Sequence, residues 1–197
     1  AKYLYEKNHF ADNGAIGSAI AFDPTKPVTA TNNFGDYWGW LQPGDTLPVG
    51  QATSNPVALL QLRDDNSHVN RFLGNLQLDY KLPFFPDLRA VLNMGIDYSK
   101  SKGTVYVPAY ATWVYSSKGT DNNYDQYKNN EVLDFYLNYT KDVKSIRSKF
   151  DVMAGYSWQH FYFESNSHNS NVPHDPAYTS DVKAKKEYYL VSFYGRL

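Results

Sequence analysis

The sequence contains no cysteine. That excludes a disulfide scaffold, a cysteine-based zinc site and a thiol nucleophile. It also carries almost no surplus charge: 19 Lys+Arg stand against 20 Asp+Glu, a formal net charge of -1. A general nucleic-acid binder needs a basic footprint, so no nucleic-acid partner is expected. Long apolar runs are missing as well. A membrane-spanning helix needs ~18–20 consecutive apolar residues. The longest weakly polar stretch, Ala15–Phe22, is far shorter and holds Gly17 and Ser18. The opening Ala1-Lys2-Tyr3 lacks the basic and apolar regions of a signal peptide and starts in mid-pattern. Catalytic signatures are absent too: there is no GxSxG, no P-loop and no HExxH. Asp64-Asp65 and Asp121-Asn122-Asn123 lack the glycine and terminal Glu of an EF-hand loop. His168, His174 and Asp175 match no common zinc spacing. No catalytic residue, metal or cofactor is therefore expected, and the chain is not expected to be an enzyme.

What the sequence does have is aromatic side chains, 17% of the total, with 18 Tyr, 11 Phe and 4 Trp. Tyr, Phe, Trp and Val favour pleated, half-buried strands, and alternation with a period of two is the test. From Arg71 to Leu82 one face carries Phe72, Gly74, Leu76, Leu78, Tyr80 and Leu82. The other carries Arg71, Leu73, Asn75, Gln77, Asp79 and Lys81. From Leu88 the pattern repeats: Leu88, Ala90, Leu92, Met94, Ile96 and Tyr98 oppose Arg89, Val91, Asn93, Gly95, Asp97 and Ser99. Pro83-Phe84-Phe85-Pro86-Asp87 links the two, and its prolines stop the ladder. A third strand, about 132–140, shows Leu133, Phe135, Leu137 and Tyr139 on one face. A fourth, about 148–163, shows Phe150, Val152, Ala154, Tyr156, Trp158, His160 and Tyr162. A fifth starts near Lys186 and carries Tyr189, Val191, Phe193 and Leu197 on one face.

The links between these strands are unequal. Short ones fall at 83–87 and 141–147, and long ones at about 7–69, 100–131 and 164–185. The short links all lie at one end of the array and the long ones at the other. Long structureless loops are uncommon inside a compact soluble domain. They are the normal arrangement in an outer-membrane β-barrel, with short periplasmic turns and long extracellular loops.

Two readings compete. In a soluble sheet the apolar face packs on a core, and in a membrane barrel it meets lipid. The strands exceed the ~5–6 residues usual in globular proteins and match the ~9–11 tilted residues that cross a bilayer. Aromatics gather at both ends of the apolar faces. Phe150 and Trp158 are separated by roughly 26 Å along a strand at ~3.3 Å per residue. Tilted by ~40°, that is about 20 Å of height, near the ~25 Å apolar band with aromatic girdles. The expected fold is therefore all-β: an antiparallel meander of about five long strands, a partial segment of a large transmembrane β-barrel with long extracellular loops. The whole of 1–197 is read as part of one barrel domain. Within it, 1–69 is mostly loop, 70–99 a hairpin, 100–131 a loop, 132–163 a hairpin, 164–185 a loop and 186–197 a truncated strand. The smallest closed barrels need ~8 strands, so a larger wall is implied. A soluble carbohydrate-binding β-sandwich is the alternative, suggested by the Trp- and Tyr-rich loops.

Two sequence blocks carry a resemblance. Ala19–Val28 (AIAFDPTKPV) with Asn55–Leu60 (NPVALL) resembles a loop segment of SusC/RagA-type TonB-dependent transporters. Arg71–Leu82 (RFLGNLQLDYKL), then Leu88 and Leu92–Asp97 (LNMGID), resembles the barrel hairpin that follows in that family. The resemblance implies a piece of a large outer-membrane barrel of Bacteroidota with an internal plug. It implies import of oligosaccharides or peptides with a SusD-type surface lipoprotein and energy from the TonB complex, through parts not found in this sequence. The bilayer would be the partner of the wall.

Candidate contact residues sit in the long segments. Trp and Tyr faces stack on sugars and anchor protein interfaces. Tyr37, Trp38 and Trp40 in the first segment, and Tyr110 and Trp113 in the second, are such candidates for substrate or partner contact; packing within the loops is the competing role. Tyr106 and Tyr115 accompany Trp113. Arg71, Asn75, Gln77, Asp79, Arg89, Asn93 and Asp97 are candidates to line a hydrophilic lumen. Asn138-Tyr139-Thr140 matches a glycosylation sequon but falls within an expected strand.

Overall fold

The computed structural model describes residues 1–44 and 47–197. Six strands form one antiparallel sheet in chain order. They are β1 (Lys2–His9), β2 (Asp64–Lys81), β3 (Leu88–Val107), β4 (Thr120–Val143), β5 (Ser148–Asn169) and β6 (Ser180–Arg196). Two short helices, α1 (Gly14–Ala21) and α2 (Pro56–Leu62), lie between β1 and β2.

The sheet adds one strand to the five legible from alternation. β1 lies in the segment expected to be mostly loop. Its outward pattern of Tyr3, Tyr5, Lys7 and His9 turns polar halfway along, so it carries no clean period-two signal. Pairing supplies what the pattern lacks: Tyr3 stands opposite Phe72 and Lys7 opposite His68.

The other strands run further than alternation suggests. β3 continues to Val107 and β4 begins at Thr120, so the second link shrinks from the expected 100–131 to 108–119. The third link shrinks from 164–185 to 170–179. The added lengths are Lys100–Val107, Thr120–Glu131, Glu164–Asn169 and Ser180–Lys186, polar on nearly every side chain of both faces. Hydropathy cannot report a strand whose two faces both meet water. The ladder still forms because each backbone N–H and C=O finds a partner on the next strand.

Register arranges the side chains into rows. One row runs Leu78, Leu92, Phe135, Tyr156 and Phe193; another runs Leu76, Met94, Leu133, Trp158 and Val191. These rows form an apolar face across five strands. Its aromatic upper edge holds Tyr3, Phe72, Tyr98 and Tyr162, and its lower end holds Tyr80, Phe85, Tyr139 and Phe150. Phe85 in the β2–β3 link stacks on Tyr139 at 5.7 Å between ring centroids.

Among the described residues nothing covers that face. Leu76 is 52% exposed and Leu78 50% exposed, although both sit mid-strand. A β-sandwich needs a second sheet over these side chains, and every strand longer than a single bridge belongs to the one sheet among the described residues. The sandwich alternative is therefore not favoured: among the described residues the apolar face has no protein layer over it. The helices cannot serve, since α1 has eight residues and α2 seven.

The assignment of faces has a measurable consequence. In full-length protein refolded into phospholipid vesicles, Leu92→Arg should cost about 2–4 kcal/mol, the range for a cation at the bilayer midplane. The adjacent Asn93→Arg points the other way and should cost under about 1 kcal/mol. Denaturant titration of both variants checks this; equal costs would reject the two-faced wall.

Candidate functional site

The three long connections converge at one end of the sheet. In the first, residues 28–38 form a small hairpin closed by the Thr29–Tyr37 bridge, with the Trp38 N–H donating to the Val28 carbonyl at 3.1 Å. The turn passes through Gly35 (φ 83°) and Asp36 (φ 61°). The left-handed backbone suits glycine at 35. Contact demands it too, because a Cβ there would lie 2.9 Å from the Tyr110 ring of the second loop.

Asn55 organises this loop from inside. It is 3% exposed. Its Oδ1 accepts from the backbone N–H groups of Val57 (3.0 Å) and Ala58 (3.3 Å), capping α2, whose first residue is Pro56. Its Nδ2 donates to the carbonyls of Val28 (2.7 Å) and Trp38 (3.0 Å). Both acceptor sites and both amide hydrogens are thereby used, and helix, hairpin and aromatic strand are tied to one side chain.

The aromatic candidates are divided by the structure. Trp38 and Trp40 pack edge to face at 4.6 Å, and both meet Phe22 (5.8 and 5.2 Å). They form a half-buried cluster with Lys26 above Trp38. Tyr37 is held in the bridge to Thr29. Phe34 is buried against Tyr115 of the second loop. Trp40 and Trp113 line one small hollow between the two loops. Tyr110 packs beside Gly35 yet remains 43% exposed. Tyr106 and Tyr115 are also exposed. Of the five candidates, Tyr110 is the most exposed.

The second and third loops are clasped by Asn171, which is 1% exposed. Its Nδ2 donates to the Ser117 carbonyl (3.0 Å) and its Oδ1 accepts from the Asp175 N–H (2.8 Å). The Val172 N–H donates to the Lys118 carbonyl at 3.2 Å. Gly119 (φ 88°) sits under Val172, where a Cβ would approach its methyl to 2.6 Å. Composition gave no sign of Asn55 or Asn171. The Asn55-Pro56 pair is a legible helix start, but the reach of Asn55 to Val28 and Trp38 depends on the tertiary fold.

The polar face of the sheet bears the lumen candidates. Arg71 makes a two-pronged pair with Asp97 (Nε–Oδ1 2.8 Å, Nη2–Oδ2 2.7 Å). Arg89 makes the same kind of pair with Asp79. Both are diagonal across the β2–β3 ladder, and Arg89 thereby leans away from its direct register partner Lys81. Asn75, Gln77 and Asn93 lie between the two pairs on the same face.

On the opposite face, just above the apolar rows, His160 has a carboxylate at each ring nitrogen: Glu131 at 3.2 Å and Glu187 at 3.1 Å. Its ring stacks on Tyr189 at 4.4 Å. Alternation had placed His160 at this level; the two glutamates become visible only through register. Higher on the same face, the Tyr162 hydroxyl donates to Glu164 at 2.6 Å. That bond, with help from Asn166, holds the Glu164 carboxyl below the usual carboxylate value. Among the described residues no three His, Asp or Glu side chains converge as a metal set.

No protein-family model matches the chain. TonB-dependent receptor SusC of Bacteroides thetaiotaomicron is 34% identical over 216 aligned positions, an alignment that covers 100% of this chain. The chain spans about one fifth of that relative, 21% of its length.

The Asn55 network predicts a specific defect. Asn55→Ala removes a helix cap and leaves two carbonyls unpaired, a cost of about 2–4 kcal/mol. Hydrogen exchange on full-length protein should show faster opening of residues 28–40 and 56–62, with the β3–β4 ladder unchanged. Asn55→Asp keeps the cap and loses both donations, so it should loosen the 28–38 hairpin while leaving α2 protected.

Proposed function

The chain belongs to the SusC family of TonB-dependent receptors, and from that premise we propose that it builds wall and extracellular rim in an outer-membrane importer. The observation that carries this reading is the single sheet with two unlike faces. One is apolar, uncovered and edged with aromatics, as a lipid-facing wall requires. The other is polar and laced with diagonal Arg–Asp pairs, suited to a water-filled or plug-filled interior.

In this reading the short links face the periplasm and the interlocked loops face outward. The chain's contribution to transport is positional. Its strands hold the loops at a fixed height, and the loops offer cargo and partner a shaped surface. No bond-making or bond-breaking step is assigned to any residue, so the activity is transport rather than catalysis.

The cargo proposed is an oligosaccharide. The open faces of Tyr110, Tyr106 and Tyr115, with Trp113 beside them, present rigid rings of the kind that stack on the C–H faces of sugars. Tyr37, Trp38 and Trp40 support the rim from behind and hold it in shape. A SusD-type lipoprotein would close over the same rim from outside. TonB would engage parts of the protein outside this chain.

Full-length receptor purified in detergent tests the reading. Titration against oligosaccharide and peptide panels should give saturable binding to oligosaccharides. Tyr110→Ala and Trp113→Ala should each weaken it about fivefold or more, the scale of one lost aromatic contact. Retained heat-resistant mobility would show that the barrel is intact. Saturable binding to peptides alone would replace the sugar assignment, and unchanged affinity in both variants would move the contact elsewhere.

A further inference from the structure

The face that bears Arg71, Asn75 and Asn93 is not polar throughout. Two neighbouring rows cross it from β3 to β6: Asp97, Asn130, Phe161 and Tyr188, and below them Gly95, Val132, Gln159 and Leu190. Strict alternation puts both rows on the same side as the Arg–Asp pairs. Phe161 and Tyr188 lie flat against each other, with 4.8 Å between ring centroids and 17° between planes. Tyr188 is 53% exposed.

A shallow hollow of about 420 Å³ opens between the two rows. Its walls are Asp97, Asn130, Val132, Gln159 and Phe161, and its floor is the backbone at Gly95. The floor stays low because position 95 carries no side chain. A Cβ there would come 2.7 Å from a Val132 methyl carbon. The volume falls within the ~300–1,000 Å³ usual for small-molecule sites.

The polar groups around the hollow are unequally committed. Asp97 is held on both oxygens by Arg71. The side-chain amides of Asn130 and Gln159 have no hydrogen-bond partner among the described residues, and neither has the Tyr188 hydroxyl. Each amide offers two N–H donors and a carbonyl acceptor. The amides of Asn75, Gln77 and Asn93 are also unpartnered. Those at 130 and 159 differ in flanking a hollow whose remaining wall includes an aromatic ring.

That combination fits a sugar residue. A sugar ring presents C–H faces that stack on an aromatic plane, and hydroxyls around its edge that donate and accept. An amide answers a hydroxyl in either sense. A lipid chain would leave both amides unpaired, and the bilayer belongs to the opposite, apolar face. Height separates the hollow from the rim. Asp97 lies ten residues before Val107, where β3 ends and the second loop begins. That is ~33 Å along the strand, or about 25 Å of height at a ~40° tilt.

We propose that the hollow at Gly95 is a second oligosaccharide site, on the inner wall. It holds one sugar residue of the cargo against Phe161, with hydrogen bonds to Asn130 and Gln159. The proposal rests on the importer reading above and adds a site that the rim residues do not share.

The test uses full-length receptor in detergent with Val132→Cys as its sole thiol, any cysteine elsewhere in the protein being replaced by serine. A water-soluble maleimide is the probe, and hexasaccharides of glucose, fructose, mannose and xylose are the ligands. The thiol should react readily in the free receptor. A saturating hexasaccharide should slow the reaction about fivefold or more, the scale of one aromatic stack with its hydrogen bonds. Adding Phe161→Ala, Asn130→Leu or Gln159→Leu should each reduce that protection to under about twofold. The three separate variants keep the test decisive if one does not fold, and heat-resistant mobility identifies those that do. A thiol at Gln77→Cys, lower on the same face, should react at the same rate with and without sugar. A thiol at 132 that is unreactive without sugar would mean that another part of the receptor fills the hollow, and would overturn the proposal. Protection by peptides alone, or protection that survives all three variants, would also overturn it. Saturable binding that depends on Tyr110, with no protection at 132, defeats only the inner site. Absence of any oligosaccharide binding defeats the sugar-importer reading as well.

Discussion

The backbone ladder is the constraint on which everything else depends. Within a bilayer no water is present to pair an N–H or C=O, so each strand must be bonded on both sides. Antiparallel neighbours in chain order meet that demand with short links. Once pairing is fixed, side chains alternate strictly between two faces, and a slip of one residue would exchange them. Leu92 on the apolar face and Asn93 on the polar face are consequences of the same bonds. So is the meeting of His160 with Glu131 and Glu187, which are far apart in sequence and adjacent only through register.

The ladder does not stop where the apolar rows stop. It continues as largely polar strand above Tyr98 and Tyr162, and this sets how the loops are presented. The loops start from rigid edges that have already cleared the membrane. They are then tied together by two buried asparagines, each of which uses its amide in both directions. Asn55 joins helix, hairpin and aromatic cluster, and Asn171 joins the second loop to the third. A rim built this way holds its aromatic rings in place through buried hydrogen bonds.

Charge is distributed according to what each face meets. Inward, Arg71 and Arg89 are neutralised within the sheet by Asp97 and Asp79. Outward on β5–β6, Lys185 pairs with Glu187 and His168 meets Asp181.

Much of the wall was legible in the sequence. Alternation at 71–82, 88–99, 132–140 and 148–163 fixed the strands and their apolar faces, because lipid on one side and water on the other impose different chemistry on neighbouring residues. The prolines of 83–87 marked a turn for the equally local reason that they cannot join a ladder. The blocks at Ala19–Val28, Asn55–Leu60 and Arg71–Leu82 carried the family. Only the tertiary structure decided the rest. The upper halves of β3 to β6 are mostly polar on both faces, and β1 turns polar halfway along its outward face, which blurs the periodic signal while leaving the hydrogen bonds intact. The division of the aromatics, with Trp38 and Trp40 packed together and Tyr110 open, follows from which loop lies against which. The row of Lys7, His68 and Lys102 exists only after three strands are set in register, because long-range pairing alone brings those three side chains together.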